Sequence, residues 1–174
     1  MLQMKELPQV GFSEAAQNFF RKCFQFKGRI RRSEYWWGVL TVLLASIVLS
    51  LIPIVGWIAT FFLSIGGISM LFRRLHDTGR SGWWWGCQTL IGLAAGVLFL
   101  SVIDIHAYMT AAQSQDMTKM IRVLSAGMAG STGIFALLLY LVNGALGIAI
   151  FVFTLLDSKP EDNKYGESTK YVME

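Results

Sequence analysis

Two segments hold most of the residues able to do chemistry. The first is Phe24-Gln25-Phe26-Lys27-Gly28-Arg29-Ile30-Arg31-Arg32-Ser33-Glu34-Tyr35-Trp36-Trp37. The second is Arg73-Arg74-Leu75-His76-Asp77-Thr78-Gly79-Arg80-Ser81-Gly82-Trp83-Trp84-Trp85. A guanidinium presents a planar fork to phosphate or carboxylate. Gly28, Gly79 and Gly82 suit a defined backbone path whose N–H groups can face an anion. Lys27, Arg29, Arg31, Arg32, Arg73, Arg74, Arg80, Trp83 and Trp84 are therefore candidates for a lipid-headgroup or phosphate site. The same charges also serve as topology signals beside a span. Glu34 and Asp77 are expected to form structural ion pairs with neighbouring arginines, because an unpaired carboxylate at a membrane edge is costly. His76 beside Asp77 invites a catalytic or metal reading. Adjacent residues on a helix point in different directions, however, and the second histidine, His106, falls on the other side of the membrane in the topology below. No catalytic residue, metal site or cofactor is expected. Cys23 and Cys87 have no Cys or His at ligand spacing and read as packing residues.

The elements that carry these segments follow from the spacing of charge. No Asp, Glu, Lys, Arg or His stands between Glu34 and Arg73. A soluble fold cannot solvate such a run, and a bilayer requires one. Overall, 54% of residues are apolar and 15% charged, against about 25% charged in soluble domains, which also excludes disorder. The run holds two spans, at about 1.5 Å rise per helical residue. Pro53-Ile54-Val55-Gly56 is the turn chemistry between Tyr35–Ile52 and Gly56–Phe72. Arg73 to Gly82 reads as a polar segment, after which Trp83, Trp84 and Trp85 open a third span to about Ile103, as an aromatic belt. Met117, Met120, Ile121, Leu124 and Met128 recur at helical spacing within a more polar stretch from Asp104 to Gly133. The fourth span covers about Ile134–Leu156. Upstream, Ser13 can cap a helix whose stripe is Ala15, Ala16, Phe19, Phe20, Cys23 and Phe24. Its opposite face carries Arg21 and Lys22, which suits either the membrane interface or packing on the ends of the spans. The first residues lack a signal-peptide core, so the first span reads as retained.

The expected fold is thus all-α: a polytopic four-helix transmembrane bundle with an amphipathic N-terminal interfacial helix. It divides into a basic N-terminal segment (1–34), a four-span domain (35–156) and a charged tail (157–174). One side of the membrane collects Lys5, Arg21, Lys22, Lys27, Arg29, Arg31, Arg32, Arg73, Arg74, Arg80, Lys159, Lys164 and Lys170, and the other only Lys119 and Arg122. The crowded side is the cytoplasm and takes both termini. Gly92 and Gly96 form a small-xxx-small pair, and Asn143, Gly144 and Gly147 mark the fourth span as a helix-packing surface. No span carries a charge in its interior, which counts against an ion-coupled pump.

Three stretches carry a resemblance. Phe24 to Trp36, Arg73 to Trp84 and Asp162-Asn163-Lys164-Tyr165-Gly166 match hallmarks of the small bacterial inner-membrane proteins catalogued as domain of unknown function 805. The resemblance runs from about Phe24 to Gly166. It implies a multi-pass protein of the bacterial inner membrane and supplies no activity. Taken together, the residues and the resemblance point to a non-enzymatic inner-membrane protein whose cytoplasmic Arg/Trp surface binds anionic lipid or a partner protein. A small transporter or channel subunit is one alternative, and a lipid-modifying membrane enzyme using His76 and Asp77 is another. The expected partners are membrane lipids, together with a protein partner or second copies of the chain. Nucleic acid is not expected.

Overall fold

The structure is a computed structural model describing residues 4–173. Seven helices and two short strands stand among the described residues: β1 (Met4–Glu6), α1 (Phe12–Arg21), α2 (Arg32–Ser50), α3 (Val55–Asp77), α4 (Trp83–Val102), α5 (Ile105–Gln113), α6 (Met117–Met128), α7 (Ser131–Leu155) and β2 (Tyr171–Met173). The class is all-α. Helices α2, α3, α4 and α7 are long and apolar enough to cross a membrane, and at most 22% of any apolar window is buried inside the protein. Faces so apolar and so exposed need hydrocarbon around them.

The chain forms two compact units. One comprises residues 1–83 and 150–174, the other residues 84–149. In the first, α2 and α3 form a hairpin. The turn between them is tighter than Pro and Gly alone require. Ile54 lies at φ +61°, ψ −63°, and Val55 N–H donates to the Pro53 carbonyl at 2.7 Å. That is a strained γ-turn, with a β-branched residue at its centre. Gly56 follows because a Cβ there would run into the Leu49 carbonyl. Helix α1 packs on this hairpin through Phe19, which is 2% exposed. A Cβ on Gly66 would stand 2.7 Å from the Phe19 ring, so α1 reaches α3 only because that position lacks a side chain. Phe19, Ile30 and Met70 form the buried core, with Tyr35, Val42 and Leu63 against it.

Two expectations need correction. Ser13 does not cap α1. Gly11 holds the cap position in extended conformation without a side-chain hydrogen bond, because Phe12 starts the helix with its ring edge-on to Trp37, centroids 5.8 Å apart. Arg73 to Asp77 is not a loop but the last turn and a half of α3. The helix holds because it places Arg74 and Asp77 three residues apart on one face. It then stops at Gly79, φ +78°. Gly79 N–H donates to the His76 carbonyl and Arg80 N–H to the Leu75 carbonyl, the pair of bonds that defines a Schellman stop. In the polar stretch before α7, the methionine spacing falls on α6, and a second helix precedes it. Helix α5 adds to α6, each capped by an aspartate whose carboxylate accepts a backbone N–H: Asp104 from Ala107 and Asp116 from Lys119. Smaller shifts place the start of α7 at Ser131 and the end of α4 at Val102.

In the second unit, close approach is seen at Gly92 and Gly147 and not at Gly96 or Gly144. Asn143 Nδ2 donates to the Gln88 carbonyl at 2.6 Å. A Cβ on Gly92 would sit 3.0 Å from Asn143 Nδ2, and one on Gly147 would sit 2.8 Å from Gln88 Nε2. Gly96 faces the Tyr140 hydroxyl with room to spare, and Gly144 has nothing within 4 Å.

The ends of the chain meet. β1 and β2 pair antiparallel, Lys5 opposite Val172. Lys170, 14% exposed at its side chain, adds contacts to Asp157 at 2.6 Å and Glu6 at 3.5 Å. The Lys170 hydrogen bond holds the Asp157 carboxyl below the usual carboxylate range, and the same bond raises the Lys170 ammonium. A depressed carboxyl contributes stability above its unfolded value of about 3.9 and loses it as pH falls through the folded value. A raised ammonium keeps its contribution below about 10.4 and loses it above. Tail docking is therefore expected to be firm from pH 5 to 9 and to loosen below about pH 4. Asp157 is half exposed, so screening limits the effect to about 0.5 kcal/mol. Protection of the β2 amides against hydrogen exchange should fall on going from pH 6 to pH 3. In Asp157→Asn the protection should be low at both, and equal pH dependence in that variant would refute the assignment.

Candidate functional site

Asp77 ends α3 wholly buried, and it organises the surrounding chain. Each carboxylate oxygen takes a different arginine. Arg29 Nε donates to Oδ1 at 3.1 Å, and Arg74 donates from a terminal nitrogen to Oδ2. All three side chains are fully buried. Two cations share one anion here, so carbonyl oxygens must take the remaining N–H groups. Those of Arg29 go to Glu161 O at 2.9 Å, Gly166 O at 3.2 Å, Lys159 O and Asp77 O. With Asp77 Oδ1 this uses all five donors of a guanidinium. Arg74 turns the other way, donating to Thr154 O, Leu156 O and Ile30 O. The carbonyls of Thr154 and Leu156 belong to the C-terminal end of α7, where unpaired backbone acceptors and the negative end of the helix dipole favour a cation.

The neighbouring residues close the same cluster. His76 Nδ1 lies 3.1 Å from the Gly28 carbonyl, and its ring stacks on Tyr165 at 3.8 Å and 5°. Asn163 Nδ2 donates to the His76 carbonyl, while its side-chain oxygen accepts the Tyr165 N–H. Gly28 and Gly166 sit at φ +93° and +129°, conformations open to glycine, and at both the carbonyl points at a cluster side chain. The three stretches separated in sequence by dozens of residues thus meet around one carboxylate: Gly28-Arg29 before α2, Arg74-Leu75-His76-Asp77 at the end of α3, and Asn163 to Gly166 in the tail. Sequence reasoning put Asp77 in an ion pair but left the tail apart from it. Asn163, Tyr165 and Gly166 carried no periodicity or charge to mark them.

The remaining charges fall into two groups. Arg31 and Arg73 are buried and bound to backbone: Arg31 to the carbonyls of Leu7 and Pro8, with Glu6 at 3.8 Å, and Arg73 to those of Ser69 and Lys22. Glu34 accepts from Asn18 Nδ2 at 2.9 Å, tying α1 to α2. Arg80 lies over the Phe153 ring at 3.9 Å. Lys27 and Arg32 are exposed. Arg32 donates to the Leu155 carbonyl at 3.3 Å, and together with Gln9, Ser33, Trp36, Trp37, Leu40 and Leu155 it bounds a recess of about 650 Å³. Trp83 and Trp84 open α4, Trp83 71% exposed and Trp84 40%. Among the described residues no group of three or more His, Cys, Asp or Glu side chains is placed to hold a metal ion.

Two curated relatives, each named Inner membrane protein YhaH, come from Escherichia coli strain K12 and Escherichia coli O157:H7. Both are 39% identical over 71 residues, covering 34% of this chain and 59% of their own length. The chain therefore spans little more than half the length of the curated relatives it matches. No solved structure matches. Residues 23–167 match the family described as Protein of unknown function (DUF805), a range that encloses every member of the Asp77 cluster. The chain belongs to the DUF805 family.

Proposed function

We propose that the protein is a non-enzymatic, multi-pass inner-membrane protein, with both termini in the cytoplasm, that binds anionic lipid at its cytoplasmic face. The name of its relatives, Inner membrane protein YhaH, supports the inner membrane. The β1–β2 pairing supports a common side for the two ends, since it holds them together across four candidate spans. The excess of Lys and Arg beside those ends supports the cytoplasm.

The observation that carries the lipid reading is the recess at the start of α2, where exposed Arg32 stands beside Trp36 and Trp37. Indole rings favour the headgroup layer, and a guanidinium there meets lipid phosphate. The Arg29 and Arg74 forks are occupied by Asp77 and main-chain carbonyls, so their part is to hold the surface in shape while Arg32 and Lys27 meet the headgroups. Native mass spectrometry of protein released in mild detergent tests this. Arg32→Gln should lower retained phosphatidylglycerol about fivefold, the effect of one basic residue near an anionic surface, with phosphatidylcholine unchanged. Equal phosphatidylglycerol retention by variant and native protein would sink the reading.

A further inference from the structure

Further along α2 lies a second feature. A groove of about 940 Å³ runs beneath α1 between α2 and α3. Phe19, Phe20 and Phe24 roof it, and Leu44, Val48 and Phe62 form its walls. The only hydroxyl in the lining, Thr41 Oγ1, donates to the Trp37 carbonyl at 2.9 Å. The groove is thus almost wholly apolar, and its size lies within the range of about 300–1,000 Å³ usual for sites that take small molecules. Its length along α2, from Thr41 to Leu49, is about 12 Å at helical rise.

At the roof the character changes. A recess of about 580 Å³ shares Cys23 and Phe24 with the groove and is edged by Arg21, Lys22 and Lys27, all exposed. The Lys22 carbonyl is anchored by Arg73 and Ser69 of α3. That anchor fixes the basic end of α1 over the mouth of the groove.

We infer that this groove holds an acyl chain of one anionic phospholipid, whose phosphate rests on Arg21, Lys22 and Lys27. The occupant follows from where the groove lies. Its walls are helices apolar enough to cross a membrane, so hydrocarbon chains are what surrounds them. An empty groove would forfeit the dispersion contacts of its lining. The three cations at one end, with no acidic residue lining either space, favour a negative headgroup over a zwitterionic one. Phe20 and Phe24, 58% and 61% exposed, extend the apolar face of α1 outward from the mouth, as in helices that lie at the headgroup boundary. The inference rests on the membrane placement above and is independent of the Arg32 recess.

The experiment uses the full chain in mixed micelles, with phosphatidylglycerol bearing a photoreactive group near the end of one acyl chain. Adducts are mapped by mass spectrometry. They should concentrate on Leu44, Val48 and Phe62, at about one lipid per protein. The double variant Arg21→Gln, Lys22→Gln should reduce that labelling roughly 25-fold, about fivefold per charge. Ala45→Phe, which fills the groove from α2, should abolish it while leaving binding that depends on Arg32 intact. Glycerol phosphate, which has the anion and no chain, should compete only weakly. Labelling spread evenly over the lipid-facing sides of α4 and α7 as well would overturn the inference, as would undiminished labelling in Ala45→Phe. If Ala45→Phe does not fold, the distribution of label on the native chain decides alone. Loss of all labelling by Arg32→Gln would instead place the lipid in the other recess.

Discussion

Asp77→Asn is expected to cost about 3–5 kcal/mol of stability, the usual penalty for removing one partner of a buried ion pair. The substitution keeps the shape of the side chain and removes its charge. Arg29 and Arg74 then remain buried with full positive charge and no anion between them. An amide also offers one acceptor oxygen where the carboxylate offers two, so one guanidinium loses its side-chain partner outright. Thermal unfolding in a fixed detergent, followed by circular dichroism, reads the loss. The pairing also predicts non-additivity. In an Arg29→Met background the cluster already has one cation fewer, so Asp77→Asn should cost clearly less than in the native chain. If Asp77→Asn stayed within about 1 kcal/mol of native, or the two changes simply added, the cluster would not be the clamp its geometry implies.

The clamp explains the form of the sequence around it. Its members come from the approach to α2, the end of α3, the end of α7 and the tail, four places that nothing local holds together. The buried charge is costly in itself and a poor device for raising stability. It does define one arrangement of these four pieces, because any other leaves a charge or a carbonyl without its partner. Arg32, at the edge of that arrangement, is thereby held at the surface beside Trp36 and Trp37.

How much of this was legible follows from which signals are local. Helices α2 and α3 were readable because a run without charge from Tyr35 to Phe72 has one physical meaning, and α4 and α7 from the apolar stretches that follow Trp83 and Ile134. The hairpin turn was readable from Pro53 and Gly56, and α6 from its methionine spacing. Glu34, expected to pair with an arginine, accepts from the Asn18 amide instead. Asp77 could be assigned to pairing by cost alone. The partners could not. Arg29 and Asp77 stand 48 residues apart, and no periodicity connects a loop, a helix end and a tail. The continuation of α3 through Arg73–Asp77 was hidden because polarity there resembles a loop. The buried Arg74–Asp77 pair, three residues apart, suits those five residues to the helix. The three-residue strands β1 and β2 are too short to show alternation. Helix α5 escaped for a similar reason: nine residues are too few for a helical spacing to stand out, and its one clear mark is the cap at Asp104. The basic face of α1 was legible at Arg21 and Lys22, but its seat was not, because the contact of Phe19 with Gly66 joins residues 47 apart with no periodicity between them.

That seat is where the second large effect is expected. Phe19→Ala should cost about 3 kcal/mol, near the lower end of the range for emptying a buried aromatic position, since hydrocarbon chains can enter part of the space. The ring touches Gly66 and packs with Ile30 and Met70, so its removal unseats α1 rather than merely thinning a core. The contact can be attacked from either side. Gly66→Ala puts a methyl 2.7 Å from the ring, and overpacking of that kind costs about 1–3 kcal/mol. The two lesions are opposite in sign of volume, so the double variant should be more stable than the sum of the single losses predicts, by about 1 kcal/mol or more. Cys23 supplies a readout specific to this contact. Its Cβ lies on the same Gly66 surface, so its thiol should react faster with a membrane-permeant maleimide in Phe19→Ala and return towards the native rate in the double variant. Strict additivity of the losses with no change in Cys23 reactivity would mean that α1 is held by Glu34 and Asn18 at its polar side instead, and that the roof of the groove does not depend on the phenylalanine.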